Sequence, residues 1–177
     1  MGGRLAEWRI WLRGLVLGVA LTGLVGPSTA QDDSPLKAAI VFNLLMYVQW
    51  PGEADLPAGT PLRLCGDRAS TLWPHLRSLR DRPLRQFRLE LRELANGEVP
   101  RDCQILLLDA SARRGAGRAG AGLLTMSHDE RADDGEVVLG LHMAGGRVVF
   151  DVDLGTARRN GLLVSSKLLR LARAVRE

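Results

Sequence analysis

Hydrophobic positions follow three different periods along this chain, and each predicts a different kind of element. From Leu36 to Pro51 the run LKAAIVFNLLMYVQWP is apolar on nearly every side of a helix, interrupted only by Lys37, Asn43 and Gln49. A helix hydrophobic all round must be covered all round, by protein or by lipid. The run is too short for lipid, since a span needs about 20 apolar residues. It therefore predicts a buried core helix. Pro51 should end it, because the residue before a proline is pushed out of the α region.

Period two and short unbroken runs predict the strands. Pro61 to Cys65 reads as a short strand ending at Gly66-Asp67. Leu84 to Leu91 alternates, with Phe87, Leu89 and Leu91 on one side, as a half-buried strand does. Cys103 to Asp109 and Leu123 to Ser127 are short apolar runs bounded by polar residues, the mark of inner strands covered on both faces. Val137–Met143 and Val148–Val152 are joined across Ala144-Gly145-Gly146-Arg147, which predicts a β-hairpin. Helical spacing returns between them. Ser70 or Thr71 can cap a helix through Leu72, Leu76 and Leu79, with Pro74 in its first turn, where a missing N–H costs little. Ser111 to Ala121 reads as helix or loop. Asp153 to Asn160 reads as a short helix closed by Gly161. Ser165 is a good N-cap for a last helix reaching Val175, with Leu168, Leu169, Leu171, Ala172 and Val175 on one face and Lys167, Arg170, Arg173 and Arg176 on the other. Such a basic amphipathic helix can bind a membrane surface, but without a bulky aromatic on its apolar face it is better read as packed. The whole is an α/β single domain: a mixed β-sheet with helices on both faces and a C-terminal β-hairpin followed by helices.

The first thirty residues stand apart from this pattern. Arg4, Arg9 and Arg13 precede an apolar run, Leu15 to Val25, and Gly26-Pro27-Ser28-Thr29-Ala30 follows. These are the parts of a secretory signal peptide, residues 1–30, cleaved between Ala30 and Gln31. The competing reading is an uncleaved anchor. Cleavage leaves residues 31–177 as one exported, soluble domain, about 147 residues long. It also changes the charge. The chain has 24 Lys+Arg and 20 Asp+Glu; removing three Arg and one Glu leaves 21 against 19. The basic residues are nearly all Arg and the aromatics are scarce, so nucleic acid is not an expected partner.

Three stretches then resemble the YfiR-like family of periplasmic regulators. The first runs from Lys37-Ala38 through Asn43 to Trp50-Pro51. The second is Leu64-Cys65-Gly66-Asp67, followed by Arg82-Pro83-Leu84 and Cys103-Gln104-Ile105-Leu106. The third takes in Leu124-Thr125, Phe150-Asp151-Val152-Asp153-Leu154, Ala157-Arg158-Arg159-Asn160-Gly161-Leu162 and Ser165-Ser166-Lys167-Leu168-Leu169-Arg170-Leu171-Ala172. The resemblance implies a small periplasmic repressor with no catalytic role and no cofactor. It would hold down an inner-membrane diguanylate cyclase through that enzyme's periplasmic region, and an outer-membrane lipoprotein would sequester it. Related proteins sit beside sensor kinases or outer-membrane receptors, so a small-molecule sensor subunit is an alternative, and a periplasmic hydrolase a remote one. Pairing with a second copy is left open.

The resemblance also implies a disulfide between Cys65 and Cys103, and an exported chain with two cysteines has one pairing to make. Two buried free thiols are the alternative. In-register parallel strands would hold these cysteines apart, so a bridge needs staggered or antiparallel placement. The family's better-known member has a second cysteine pair that this chain lacks. Other motifs point less far. Gly115-Ala116-Gly117-Arg118-Ala119-Gly120 matches G-x-G-x-x-G but does not directly follow its strand, so it reads as a loop. His128-Asp129-Glu130 lacks further imidazoles at ligand spacing. Asp151-Val152-Asp153-Leu154-Gly155 has no glutamate at the twelfth position of a calcium loop. Ser165 and Lys167 are better explained by capping than as a nucleophile pair.

Overall fold

The computed structural model describes residues 32–94, 99–109, 120–128 and 136–177. The signal peptide, the Ala30/Gln31 cleavage point, most of the Ser111–Ala121 segment with its glycine motif, and Asp129 and Glu130 lie outside the described residues. In chain order the elements are α1 (Ser34–Leu45), β1 (Val48–Gln49), a 3-10 turn (Glu53–Asp55), β2 (Thr60–Gly66), α2 (Trp73–Arg77), β3 (Pro83–Leu84), β4 (Phe87–Glu93), β5 (Ile105–Leu107), β6 (Leu124–Ser127), β7 (Leu139–Ala144), β8 (Arg147–Asp153), α3 (Leu154–Arg159), β9 (Leu163–Val164), α4 (Ser166–Leu171) and β10 (Ala174–Arg176). Eight strands form one mixed sheet in the order β10-β8-β7-β6-β5-β2-β4-β3, and β1 and β9 form a small second sheet. The fold is α/β, as the alternation of patterns predicts.

The two short apolar runs occupy the middle of the large sheet. Ile105, Leu106 and Leu107 are all buried, as are Leu124 and Met126. Side chains on opposite pleats enter two different cores. Leu62, Leu64, Ile105, Leu107, Leu124, Met126, Leu139, Leu141, Phe150 and Val152 join the larger core with residues of all four helices. Cys65 and Leu106 face the other way, into a smaller core with Cys103, Leu108 and Val137, against which Leu94, Val99 and Leu123 pack. Among the described residues that second core is built by strands and by the connections between them.

Chain direction explains this division. Strands β4, β2, β5, β6 and β7 are parallel neighbours. A crossover between parallel strands is almost always right-handed, so the face it covers depends on which way the chain steps along the sheet. The step from β2 to β4 goes one way and carries α2. The steps from β4 to β5, β5 to β6 and β6 to β7 go the other way. Their ends supply Leu94, Val99, Cys103, Leu123 and Val137 to the opposite face.

The hairpin and the short helices follow their local chemistry. Gly145 and Gly146 have φ of 56° and 74°, the left-handed pair that matches the twist of a two-residue hairpin. The Asp153 carboxylate accepts from Thr156 N–H at 2.6 Å and caps α3, and Gly161, at φ 72°, terminates it. Ser165 Oγ accepts from Lys167 N–H at 3.2 Å at the start of α4.

Five expectations are corrected. The first helix ends at Leu45, well before Pro51, because Val48 and Gln49 pair antiparallel with Val164 and Leu163. That helix is also covered on one side only: Val41 and Leu45 are fully buried, whereas Leu36 is 52% exposed and Ala39 and Asn43 are exposed. The Leu84–Leu91 strand is two strands, β3 and β4, hinged at Arg85 in the left-handed region with φ 55°. Ser70 does not cap α2; its Oγ accepts from Leu72 N–H, and α2 begins at Trp73 without a side-chain cap. Most changed is the tail. The last helix stops at Leu171, and Ala174–Arg176 pairs parallel to Asp151–Asp153 as an edge strand. Tertiary pairing overrides a helical period there, as it often does.

Arg173 secures that edge strand. Its N–H donates to Phe150 O at 2.8 Å. Its guanidinium grips the Asp151 carboxylate at both oxygens, Nε to Oδ1 at 2.8 Å and Nη2 to Oδ2. His142 Nε2 lies 3.2 Å from the same carboxylate. The Arg173 hydrogen bonds hold Asp151 below its ordinary carboxylate value, against the opposing effect of burial. A depressed native pKa contributes stability above the unfolded value of 3.8 and loses it as pH falls through the native one. Arg173→Ala should therefore lower stability by about 1 kcal/mol at pH 7, allowing for the guanidinium's partial exposure. The gap to wild type should close as urea titrations are taken from pH 7 down to about pH 2. A gap independent of pH would mean that Arg173 acts by packing alone.

Gly66, at the end of β2, has no room for a side chain. A Cβ there would sit 2.9 Å from Trp73 Cζ3 and 3.3 Å from Leu107 Cβ, whereas one on Gly120 would meet nothing within 4 Å. Gly66→Ala should cost about 1–3 kcal/mol by overpacking, with Gly120→Ala near neutral, in the same urea assay.

Candidate functional site

Different residues gather at the two ends of the inner strands. Trp50 and Pro51 lie where β5 and β6 begin. The Trp50 indole N–H donates to Gln104 O at 3.3 Å, and its ring meets Phe87 edge-on with centroids 6.1 Å apart. Gln104 also serves β2, donating through its N–H to Arg63 O at 3.1 Å and accepting from Arg63 N–H on Oε1 at 2.8 Å. A Cβ on Gly122 or Gly161 would meet Pro51 first, at 3.6 and 3.8 Å. Gly122 N–H donates to Asn160 O at 2.7 Å, and Asn160 Nδ2 donates to Leu123 O at 2.8 Å. Three motifs far apart in sequence, Trp50-Pro51, Cys103-Gln104 and Asn160-Gly161, thus converge at the amino ends of the inner strands.

Arg85 locks this end. Its guanidinium donates to Val48 O at 2.6 Å and to Glu53 Oε2 at 2.8 Å. It lies 5.9 Å from the ring centroids of both Trp50 and Phe87. Glu53 Oε2 also accepts from Trp50 N–H at 2.8 Å. Sequence reasoning missed Arg85. A non-glycine residue in the left-handed region gives no sign in sequence, and neither does an arginine that bridges two distant segments.

Cys65 and Cys103 are joined as a disulfide, with Cα atoms 6.0 Å apart. The register is parallel, with Cys65 opposite Leu106. The bridge forms because Cys103 precedes β5 and sits in a turn, its N–H donating to Pro100 O at 3.2 Å. There it lies over the smaller core, outside the ladder. The bond ties the central strand to the end of the β4–β5 crossover. Beside it Asp102 takes Arg63 at 3.0 Å and Arg92 at 2.9 Å. Replacing both cysteines by serine frees a loop with a sequence separation of 38, worth about 4 kcal/mol on the chain-entropy account. Urea titration of the double variant beside the oxidised protein checks this; a loss under about 1 kcal/mol would mean that the crossover is held by its packing.

The carboxyl ends of the inner strands carry a second group. Asp109 lies two residues beyond β5, His128 directly after β6, and Ser70 in the loop after β2. His128 Nε2 is 2.8 Å from Asp109 Oδ1 and 3.3 Å from Ser70 Oγ. Both side chains of the pair are mostly buried, 15% and 13% exposed. Residue types alone would suggest a nucleophilic relay. The geometry opposes it, because a relay needs the acid on one ring nitrogen and the hydroxyl on the other. Here both meet Nε2, which cannot donate to Asp109 and take a proton from Ser70 together.

The other candidates disperse. His75, His128 and His142 pair with three different carboxylates, Asp32, Asp109 and Asp151. Among the described residues no three His, Cys, Asp or Glu side chains are grouped to hold a metal ion. Asp151 is engaged by Arg173 and Asp153 by α3, so neither carboxylate of the calcium-like stretch points to a shared ion. Lys167 Nζ lies 5.4 Å from the Tyr47 ring centroid, a cation–π contact at the α4 cap.

Taken in chain order, the parallel strands have the doubly wound order 2-1-3-4-5, which places the protein among open α/β domains with one reversal of strand order. The chain belongs to the YfiR/HmsC-like family, whose model matches residues 34–173. No curated protein matches it. No helix among the described residues is long and apolar enough to cross a membrane.

Proposed function

We propose that this protein is a periplasmic regulator that represses an inner-membrane diguanylate cyclase by binding its periplasmic region, and so lowers cyclic-di-GMP output. The observation that carries the reading is the family match across residues 34–173. Export by residues 1–30, with cleavage between Ala30 and Gln31, belongs to the same proposal, as does a structural role for the Cys65–Cys103 bridge. An outer-membrane lipoprotein that sequesters the protein would relieve the block.

Apolar side chains left open on the surface support a binding role. Leu163 and Leu171 are 65% and 64% exposed, and Leu36 is 52% exposed. A second reading, a small-molecule sensor subunit, draws on a separate observation: Ser70, Asp109 and His128 converge where open α/β sheets take ligands. The two readings are compatible, since a ligand at one end of the sheet can bias a partner surface elsewhere only through a difference in affinity between two states.

Deleting the gene should raise cellular cyclic-di-GMP, and wild type supplied in trans should restore it. Leu163→Asp should restore it poorly while reaching wild-type levels in the periplasm. No rise on deletion would sink the cyclase reading and leave a sensor kinase or receptor as the partner.

A further inference from the structure

The C-terminal segment has no bulky aromatic of its own, which counts against membrane contact in a basic amphipathic stretch. The fold brings one to it from the segment after α1. β9 pairs antiparallel with β1, with Leu163 opposite Gln49 and Val164 opposite Val48. Successive side chains of a strand alternate in direction. Val48 is fully buried, so Gln49 and Leu163 face outward, and both are exposed. The next pair along the ladder is Tyr47 and Ser165, joined by Ser165 N–H donating to Tyr47 O at 3.0 Å. By the same alternation it returns to the outer side, where Lys167 Nζ lies 5.4 Å from the Tyr47 ring centroid. Lys167, Arg170 and Leu171 stand at i, i+3 and i+4 on α4, so they share one side of it, and all three are exposed. One surface therefore runs from Leu163 across Tyr47 and Lys167 to Arg170 and Leu171. Leu163 and Leu171, at 65% and 64%, are the most exposed large apolar side chains among the described residues.

We propose that this surface docks on a bilayer that contains anionic phospholipid. The inference goes beyond the cyclase reading and does not rest on it. Charge selects the occupant. Residues 158–177 hold six Lys or Arg against one acid, Glu177, whereas residues 31–157 hold fifteen against eighteen. Arg173 is met by Asp151 and Arg158 by Glu177. Lys167 and Arg170 have no ion pair among the described residues. A second copy seated on this surface would set these cations against their own kind, because a two-fold interface brings one patch onto itself. Anionic lipid complements them. Exposed leucines enter the acyl boundary while neighbouring cations stay with the head groups. Tyrosine belongs at that level, with an apolar ring and a wet hydroxyl. Lysine reaches past the ring, its stem on apolar surface and its charge in water. No helix among the described residues is long and apolar enough to cross a membrane, so the contact lies in the interface.

The test uses protein purified from the periplasmic fraction and vesicles of phosphatidylglycerol and phosphatidylcholine in equal parts. Vesicles of phosphatidylcholine alone are the control. Co-flotation is followed as lipid is titrated at low ionic strength. The protein should float with the mixed vesicles, stay behind with the control, and be released as salt is raised. Lys167→Gln should weaken binding about fivefold, the scale of one cation near a charged bilayer. Leu171→Ser should weaken it about tenfold, the scale of one buried leucine. Arg147→Gln makes the same charge change in the β7–β8 hairpin and should bind as wild type does. Should Leu171→Ser lose stability in the urea assay, Leu163→Ser is read in its place. Every variant keeps the wild-type N-terminus, so binding through residues before Asp32 would persist in all of them. The inference is overturned if wild type does not float with the mixed vesicles or if phosphatidylcholine alone holds it equally. It is also overturned if Lys167→Gln and the leucine variant bind as wild type does, or if Arg147→Gln weakens binding as much as Lys167→Gln. Vesicles alone suffice, so this outcome is separate from that of the cyclic-di-GMP experiment.

Discussion

One reversal of strand order, between β2 and β5, governs most of what this molecule can do. The chain steps outward from β2 to β4, then must cross back over β2 to reach β5. Right-handed crossovers turn those two steps into coverings of opposite faces. The first brings α2 onto the large core, where Trp73 and Leu76 are buried. The second lays Leu94, Val99 and Cys103 on the other face. Without the reversal, Cys103 would have no route to the side of β2 on which Cys65 points.

The two ends of the inner strands differ because of what reaches them. At the amino ends, Trp50, Gln104 and Asn160 bond the backbone around them, and Arg85 bonds Val48 O and Glu53 while its buried Nε has no hydrogen-bond partner. The result is a dense polar clasp in which each contact orders groups already ordered by another. At the carboxyl ends a different set of polar residues gathers. There Asp109 pairs with His128, and Asp109 Oδ2 is buried without a hydrogen-bond partner. Each end thus holds one buried polar atom without a hydrogen-bond partner.

Much of the architecture was legible in the sequence wherever local pattern and tertiary role agreed. Ile105–Leu107 and Leu124–Ser127 are short and wholly buried, and they lie at the centre of the sheet. Asp153, Ser165, Gly161 and the Gly145-Gly146 pair occupy positions their chemistry favours. Prediction failed where long-range pairing outweighed local period. The tail from Leu171 to Arg176 has helical spacing, but the Arg173–Asp151 pair and the open edge of β8 draw it into a strand. Val48 and Gln49 leave the first helix for β9 in the same way. The site was less legible still. Ser70, Asp109 and His128 have no sequence spacing that means anything, because what unites them is the order of strands in the sheet.

That same order bears on why the disulfide sits where it does. Cys65 is the last residue but one of β2, next to Gly66, which touches Trp73, and Asp67, which opens the loop carrying Ser70. Cys103 anchors the far end of the crossover that must pass β2 on the opposite face. The bridge therefore fastens together the two chain segments that the reversal forces apart, close to the carboxyl end of β2. Edge elements such as β10 are held by Arg173 and are remote from this bond in the sheet order. A bridge in that position restrains the carboxyl end of β2 more than it restrains the edges, so loss of the bond would be felt first by the loop carrying Ser70 and last by the C-terminal strand.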